Sequence, residues 1–585
     1  MKKNREEIKQ RIINDAKSRA NLSISWLQKK YGIGFSLAKE IYTECKQQIW
    51  ENNLRYTGEA IALNLPKDRA DVLLEEMNKV ILNGGAQRIM LASLIATTLR
   101  LKRIQYIVTG NLSSSYLAHE LKIHNVDCFK YGIRPEICHG NDYKNNYSIE
   151  FRVAPENIPK VLSFIDKKLK GNLLRESMTY KNGKRGVNYL SRYYVVDSSV
   201  RSSVEEVEVI EGGCVKYENC INNEIALESK NRDKLIRIII SGSTALSIAY
   251  ECSRKIEDKL CSLGKMKKKG TVFSINRIIE DNPDLIKALI NAEDSFYIPG
   301  FSSDFEYRLI KRTNPKSFND FIKIKCVLHG TGAWEDNQEY LFNDKNRSLN
   351  LLIGSRDDVF DFAHNKGLDI KESLEIMESV RKGKGIDKRY KKIVGDEHFD
   401  ILNKIKYLFP KGHIIQLIQT EILVLFFKKN YPIEFFASRL EFCNAYKMID
   451  ETLLNGDYAE IDAYIEKMQN EYSQLDSESK KYKIGVVIKD KIRIAKLLIL
   501  IKKEGIKLLK PDFNKSNSNT IIIDYDNKAL LLPLYTLAMP EKVAETIVIE
   551  REKKKFSSLE DLRRRTGMSA STIEELNKDH FFEFK

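Results

Sequence analysis

The sequence predicts an α+β multidomain protein in which helix dominates. Three observations carry that expectation. The 585 residues suffice for about three to five domains of ~100–200 residues each. Hydrophobic residues at 42% and charged residues at 30% describe a folded globular chain, not disorder or fibre. Apolar residues recur at helical spacing in the first fifty residues and again near 441–510. Only 12 Pro and 29 Gly interrupt the chain, so long flexible linkers are not expected.

Composition also excludes function classes. No apolar run approaches the ~18 residues that cross a bilayer, and Met1–Glu7 leads into a charged helix, not the apolar core of a secretion signal. Nine Cys with no C-x-x-C pair make neither a disulfide framework nor a zinc ribbon. These readings place the chain in the cytoplasm with no membrane partner. Lys and Arg number 97 against 81 Asp and Glu, a net charge of +16, and the usual partner of so basic a protein is nucleic acid. A merely lysine-rich composition is the alternative.

Residues 1–50 form the first element. Residues 5–18, 22–31 and 35–48 read as three helices, with Gly32-Ile33-Gly34 between the last two. Helix, short glycine turn, helix is the helix-turn-helix pattern, whose second helix enters a DNA major groove. Ile24, Leu27, Tyr31, Ile33, Ala38 and Ile41 supply the apolar faces; Lys29, Lys30 and Lys39 are left for phosphate, and Ser36 and Glu40 for base edges. The string from Asn21 to Ala38 resembles the gamma domain of FtsK-type chromosome translocases, which implies a small DNA-binding winged helix. The other reading is a helical hairpin that only packs on its neighbour.

Residues 266–440 carry five ordered blocks: His329–Trp334, Gly354–Asp358, Met377–Gly385, Lys404–His413 and Tyr431–Ala437. In this order and spacing they resemble the mostly helical fingers domain of C-family replicative DNA polymerases, closest to the PolC-type alpha subunit of bacterial DNA polymerase III. From Arg381 to Lys411, ten Lys and Arg stand against four Asp and Glu, an excess suited to phosphates. Glycines beside Lys382 and Lys384 relieve crowding and let a phosphate approach closely. Arg381, Lys382, Lys384, Lys404, Lys406, Lys411 and His413 are the candidate nucleotide and DNA contacts. For any single lysine the alternative is a solvated helix face.

The resemblance extends both ways. Residues 51–265 resemble a degenerate palm and thumb-like region. There Asp71–Ile81 matches a palm-entry helix, and Tyr106–Ser115 takes the place of the loop that cradles a triphosphate, with Gly110 its one remaining glycine. Residues 441–515 read as a helical connector, from apolar residues such as Met448, Leu453, Ile461, Met468 and Leu497 at helical spacing. Residues 516–585 resemble the family's helix-hairpin-helix region. The hairpin reads Ala538-Met539-Pro540-Glu541-Lys542, lacking glycine and carrying a proline with no N–H, which weakens a phosphate grip. Lys553–Lys555 and Arg563–Arg565 keep the segment basic. No sliding-clamp peptide of the family's kind is recognisable, and its PHP, exonuclease and OB portions find no room.

In this family nucleotidyl transfer uses two divalent ions ~3.5–4 Å apart, held by carboxylates because magnesium is a hard ion. The resemblance puts the three aspartate positions at Asn146, Ser148 and Ile239. Asn and Ser are neutral donors and Ile is no ligand. The expectation is a pseudo-polymerase with no catalytic residue, no bound metal and no cofactor, acting on replication by binding DNA or replisome proteins. The alternative is a reduced but active DNA-directed DNA polymerase that uses magnesium on repositioned ligands such as Asp142 or Glu150. Cys128, Cys138 and His139 are too irregular for zinc and read as buried residues.

Overall fold

The computed structural model describes residues 2–16, 24–139, 148–168, 173–182, 186–195, 215–217, 220–222, 236–265, 282–290, 304–340, 349–475, 478–537, 539–579 and 582–584, with single residues 273, 275, 278, 298 and 299. They fall into two units: 1–180, 188–247 and 272–425 in the larger, 181–187, 248–271 and 426–585 in the smaller.

The larger unit opens with three helices, α1 (Lys2–Ala16), α2 (Ile24–Tyr31) and α3 (Phe35–Ala62). Ile12, Leu27, Ala38, Ile41, Cys45 and Ile49 close a small core between them. Gly32 takes φ +61°, the left-handed turn that the α2–α3 corner requires and that only glycine adopts without cost. The expected end of this domain at residue 50 falls inside α3, which runs on to Ala62. No proline interrupts it before Pro66, and Leu54 continues its buried face. Among the described residues no strand precedes Tyr106, so this is a three-helix unit in which no wing is seen.

Helices α4 (Lys67–Leu82) and α5 (Ala86–Leu101) lead into a mixed sheet. Its strands are β1 (Tyr106–Thr109), β2 (Ile149–Val153), β3 (Leu173–Asn182), β4 (Gly186–Val195), β5 (Val215–Tyr217), β6 (Cys220–Asn222) and β7 (Ile236–Gly242), in the order β1-β2-β7-β4-β3-β6-β5. β2 runs antiparallel to β1 and parallel to β7, and β7 runs antiparallel to β4. Alternation along β2 buries Ile149, Phe151 and Val153 and leaves Glu150 and Arg152 on the other face, half-buried.

The rest of this unit is helical. Helices Phe318–His329 and Arg356–Asn365 each start in a capping box, Ser317 with Asp320 and Ser355 with Asp358. Val359, Phe360, Met377, Val380, Leu402 and Leu408 share one core, which draws helices 356–365, 370–381 and 396–404 together.

In the smaller unit helices Tyr458–Ser473 and Glu478–Lys503 form an antiparallel hairpin. A three-stranded sheet follows, from β8 (Lys507–Leu509), β9 (Ile522–Asp524) and β10 (Ala529–Leu531), with β10 central. The boundary expected at 515/516 separates β8 from its partner β10. Helices Glu541–Lys553, Leu559–Thr566 and Ala570–Asp579 complete it. Lys255 and Glu441 make a buried ion pair at 2.9 Å, and Glu441 also accepts the Ile521 amide. Among the described residues no single helix is long and apolar enough to cross a membrane.

Candidate functional site

The sheet face that carries Glu150 meets the turn after β1. Gly110, at φ +72°, ends the strand; a side-chain carbon there would stand 3.2 Å from the Glu150 carboxylate. Its amide donates to His413 Nδ1 at 3.1 Å, while Thr109 Oγ1 donates to Glu150 Oε2 at 3.2 Å. Beyond it Leu112, Ser113, Ser114 and Ser115 are wholly buried. Ser115 donates to buried Glu76 at 2.7 Å, and the thiols of Cys128 and Cys138 donate to the carbonyls of Ser114 and Asn111. Any side chain at Gly412 would collide with the Ser113 carbonyl. The turn expected to cradle a triphosphate is thus packed by protein groups. Cys128 and Cys138 are the buried residues that the sequence suggested.

Of the three expected aspartate positions, Asn146 lies outside the described residues, as does Asp142. Ser148 is buried at the mouth of β2. Ile239 stands directly beside Glu150 in the parallel register of β2 and β7. Along β2 and β7 on this face Glu150 is the one carboxylate, and nowhere among the described residues do three or more His, Cys, Asp or Glu converge as a metal site. Thr109 and Ser148 are neutral and Ile239 offers no donor atom, so this set does not fit a pair of magnesium ions.

His413 is not a phosphate contact. It is buried, and desolvation with the nearby charges of Arg152 and His329 drives its pKa down to about 3. Accepting a hydrogen bond at Nδ1, the neutral ring pegs the helix Lys411–Asn430 to the β1 turn. Burial, Lys325 and Arg152 likewise take His329 down to about 4. Beneath them the wholly buried Lys325 pairs with Glu421 at 2.9 Å, and desolvation lifts Glu421 to about 7.

The remaining candidate cations divide in two. Arg381 is clamped to Glu378 by bonds of 2.5 and 2.8 Å, and Lys382 reaches the same carboxylate at 2.9 Å. Lys404 Nζ donates to the Asp336 carbonyl, and the half-buried Lys411 to the Tyr131 carbonyl. These contacts use those side chains within the protein, because each has an acceptor in reach. Lys384 and Lys406 are exposed. Three loops are knit together around them: Thr331 pairs with Tyr407, Leu408 N–H donates to the Arg381 carbonyl, and Gly383 lies against Lys406 so closely that a side-chain carbon would sit 2.5 Å from its carbonyl.

Residues 256–396 match the family model for the bacterial DNA polymerase III alpha subunit finger domain, and residues 505–584 match the helix-hairpin-helix motif. The DNA polymerase III PolC-type of Mycoplasmopsis pulmonis is 31% identical over 297 residues, 49% of this chain and 20% of that protein. Those of Thermotoga maritima and Mycoplasma genitalium are 31% and 29% identical over 287 and 325 residues. The chain is related to PolC-type DNA polymerase III over about half its length. It spans about a fifth of the curated relatives it matches.

In this PolC-related chain the helix-hairpin-helix match starts at 505 and takes in β8. Pro540 caps helix Glu541–Lys553 without a side-chain bond. A second turn was missed in the sequence: Gly567, at φ +68°, joins helices 559–566 and 570–579, and Thr566-Gly567 was its signal. Arg565 stacks 4.1 Å from Phe556 and donates to the carbonyls of Glu550 and Lys554, which fixes the loop bearing exposed Lys553–Lys555.

At the amino-terminal end of the PolC-related chain, Lys29, Ser36, Lys39 and Glu40 are exposed. Lys30 binds the Asp15 carboxylate, as does Tyr31, and Glu40 binds Arg5 at 2.8 Å. Lys30 as phosphate clamp and Glu40 as base reader are therefore held by partners within the three-helix unit.

Proposed function

We propose that this chain is a DNA-binding pseudo-polymerase, derived from a PolC-type polymerase, that acts on replication by occupying DNA or by engaging replisome proteins and does not itself transfer nucleotides. One observation carries the reading: Ile239 stands in register beside Glu150, where a two-ion site needs a second carboxylate. The packed turn at 110–115 supports it, since Gly110 N–H is already given to His413 and the serines beyond are buried. The exposed Lys384 and Lys406, the fingers match and the helix-hairpin-helix match support DNA as the partner. In this reading the three-helix unit serves as the sequence reader, with Ser36 toward base edges and Lys29 and Lys39 toward phosphate.

Primer extension at high protein excess, with magnesium and separately with manganese, is the test. No incorporated nucleotide is the expected result. Steady incorporation abolished by Glu150→Gln would establish instead the second reading, a reduced polymerase, which Glu150 favours by presenting its carboxylate beside Gly110 on the sheet face.

A further inference from the structure

The two helices of the antiparallel hairpin carry opposite charge. Helix Tyr458–Ser473 holds four Asp and Glu against one Lys, and helix Glu478–Lys503 holds nine Lys and Arg against two Asp and Glu. So acidic a helix stands apart in a chain of net charge +16. Its Asp462 and Glu466 are exposed, and neither has an ion pair among the described residues.

The seam between the helices runs through buried Ile461, Ile465 and Met468 on the acidic helix and through Gly485, Ile488 and Ala495 on the basic one. Asp462 and Glu466 each follow a seam residue by one position, and so do Val486, Lys489 and Lys496; Arg493 continues that second row. In antiparallel helices the same rotational offset falls on the same side of the pair. An acidic row and a basic row therefore lie side by side on one face of the hairpin. Lys489 stands 4.7 Å over the Tyr472 ring, and Arg493 reaches Asp490 at 3.0 Å, a surface contact too weak to bind it elsewhere. Exposed Tyr458 and Val486 add apolar surface at the two ends of the face.

Such a face complements itself. A two-fold axis along the hairpin lays the acidic helix of each copy on the basic helix of the other, whereas an axis across the hairpin would set acid on acid. The acidic helix has 16 residues, about 24 Å, and two helices side by side are about 20 Å wide. The face thus buries about 500 Å² on each copy, about 1,000 Å² together, the size of a weak and reversible interface.

We propose that two copies of this chain pair through the 458–503 hairpin, acidic helix on basic helix in both directions. The inference is independent of the DNA-binding reading above. Gly485 lies against Tyr472, so Glu466 is level with about position 491 and meets Lys489 and Arg493 of the partner subunit. Asp462, one turn back, is level with about position 495, beside Lys496 of the partner subunit.

The test is sedimentation velocity on the full chain, freed of nucleic acid, from about 1 to 100 μM. A monomer–dimer equilibrium in the micromolar range is expected at about 50 mM salt, weakened about tenfold or more at about 500 mM. Asp462→Lys with Glu466→Lys should abolish the dimer, and so should Lys489→Glu with Arg493→Glu. Each altered position is exposed, so both variants should keep the wild-type melting temperature. An equimolar mixture of the two variants should dimerise again, because every acid then meets a base, and all four reversals in one chain should restore the homodimer. A chain that stays monomeric at low salt would overturn the proposal and leave the face to a partner of another kind. A dimer indifferent to either reversal, or a mixture that does not re-form it, would overturn the pairing as well.

Discussion

At the sheet face a glycine turn points inward, and at the fingers loops glycine turns point outward. Gly110 delivers its amide to His413 and is followed by buried serines, so the turn is finished by the protein's own groups. Gly332 and Gly383 press their loops against the backbone of Lys404–Lys406, and Lys384 and Lys406 are left in solvent. The two regions teach that two demands on a protein that handles phosphates are separable. Holding two metal ions needs several carboxylates close together, whereas the residue in register with Glu150 is the apolar Ile239. Meeting a phosphate backbone needs only exposed positive charge, which many arrangements of lysine supply.

The largest expected effect lies beneath both regions. Lys325→Met strands the Glu421 carboxylate in the interior and should cost about 3–5 kcal/mol in urea unfolding. Adding Glu421→Leu should recover most of it. A single-variant loss below about 1 kcal/mol would mean that the pair is solvated, and that the two regions do not share a rigid floor.

Ile239→Asp is the next step down. A second carboxylate beside Glu150 should destabilise the sheet by about 1–3 kcal/mol, because like charges meet across the register on a half-buried face. Millimolar manganese should raise the melting temperature of this variant and not that of the wild type. Two tight magnesium sites in the wild type by calorimetry would instead break the contrast between the regions.

The peg between them should respond to acid. Native His413 and His329 titrate near 3 and 4, well below the ~6.5 of an unfolded histidine. Below about pH 6.5 the unfolded chain takes up protons that the native state refuses, so stability is complete above that pH and falls as the medium acidifies. Each histidine should contribute about 1.4 kcal/mol per pH unit between roughly pH 6 and 5. His413→Asn keeps an acceptor for Gly110 and should remove one such share from the slope of stability against pH. An unchanged slope would place His413 in solvent.

The smallest effect on stability belongs to the fingers cations. Lys384→Ala and Lys406→Ala should change unfolding free energy by no more than about 0.5 kcal/mol. Their consequence should appear in the salt dependence of DNA binding alone.

Much of the molecule was legible in its residues. Gly32 and the apolar positions from Ile24 to Ile41 specified two helices and the turn between them. The ordered blocks at 329–334, 354–358 and 377–385 specified the fingers resemblance, because capping serines, glycines and lysines at fixed offsets are local signals. The absence of aspartate at position 239 was likewise plain. The sequence by itself could not say that α3 passes residue 50, since helix length depends on what the far end packs against. Nor could it tell Lys384 from Lys411, or His413 from a phosphate contact. Those residues share charge and neighbours in the chain, and only the three-dimensional packing decides which one meets a carbonyl, a carboxylate or water. Tyr407 illustrates the same limit: one letter among many aromatics, it stays exposed while its backbone pairs with Thr331, more than seventy residues away in sequence. Local chemistry is written in short strings of residues, whereas exposure is a property of the surfaces that distant strings leave uncovered when they fold.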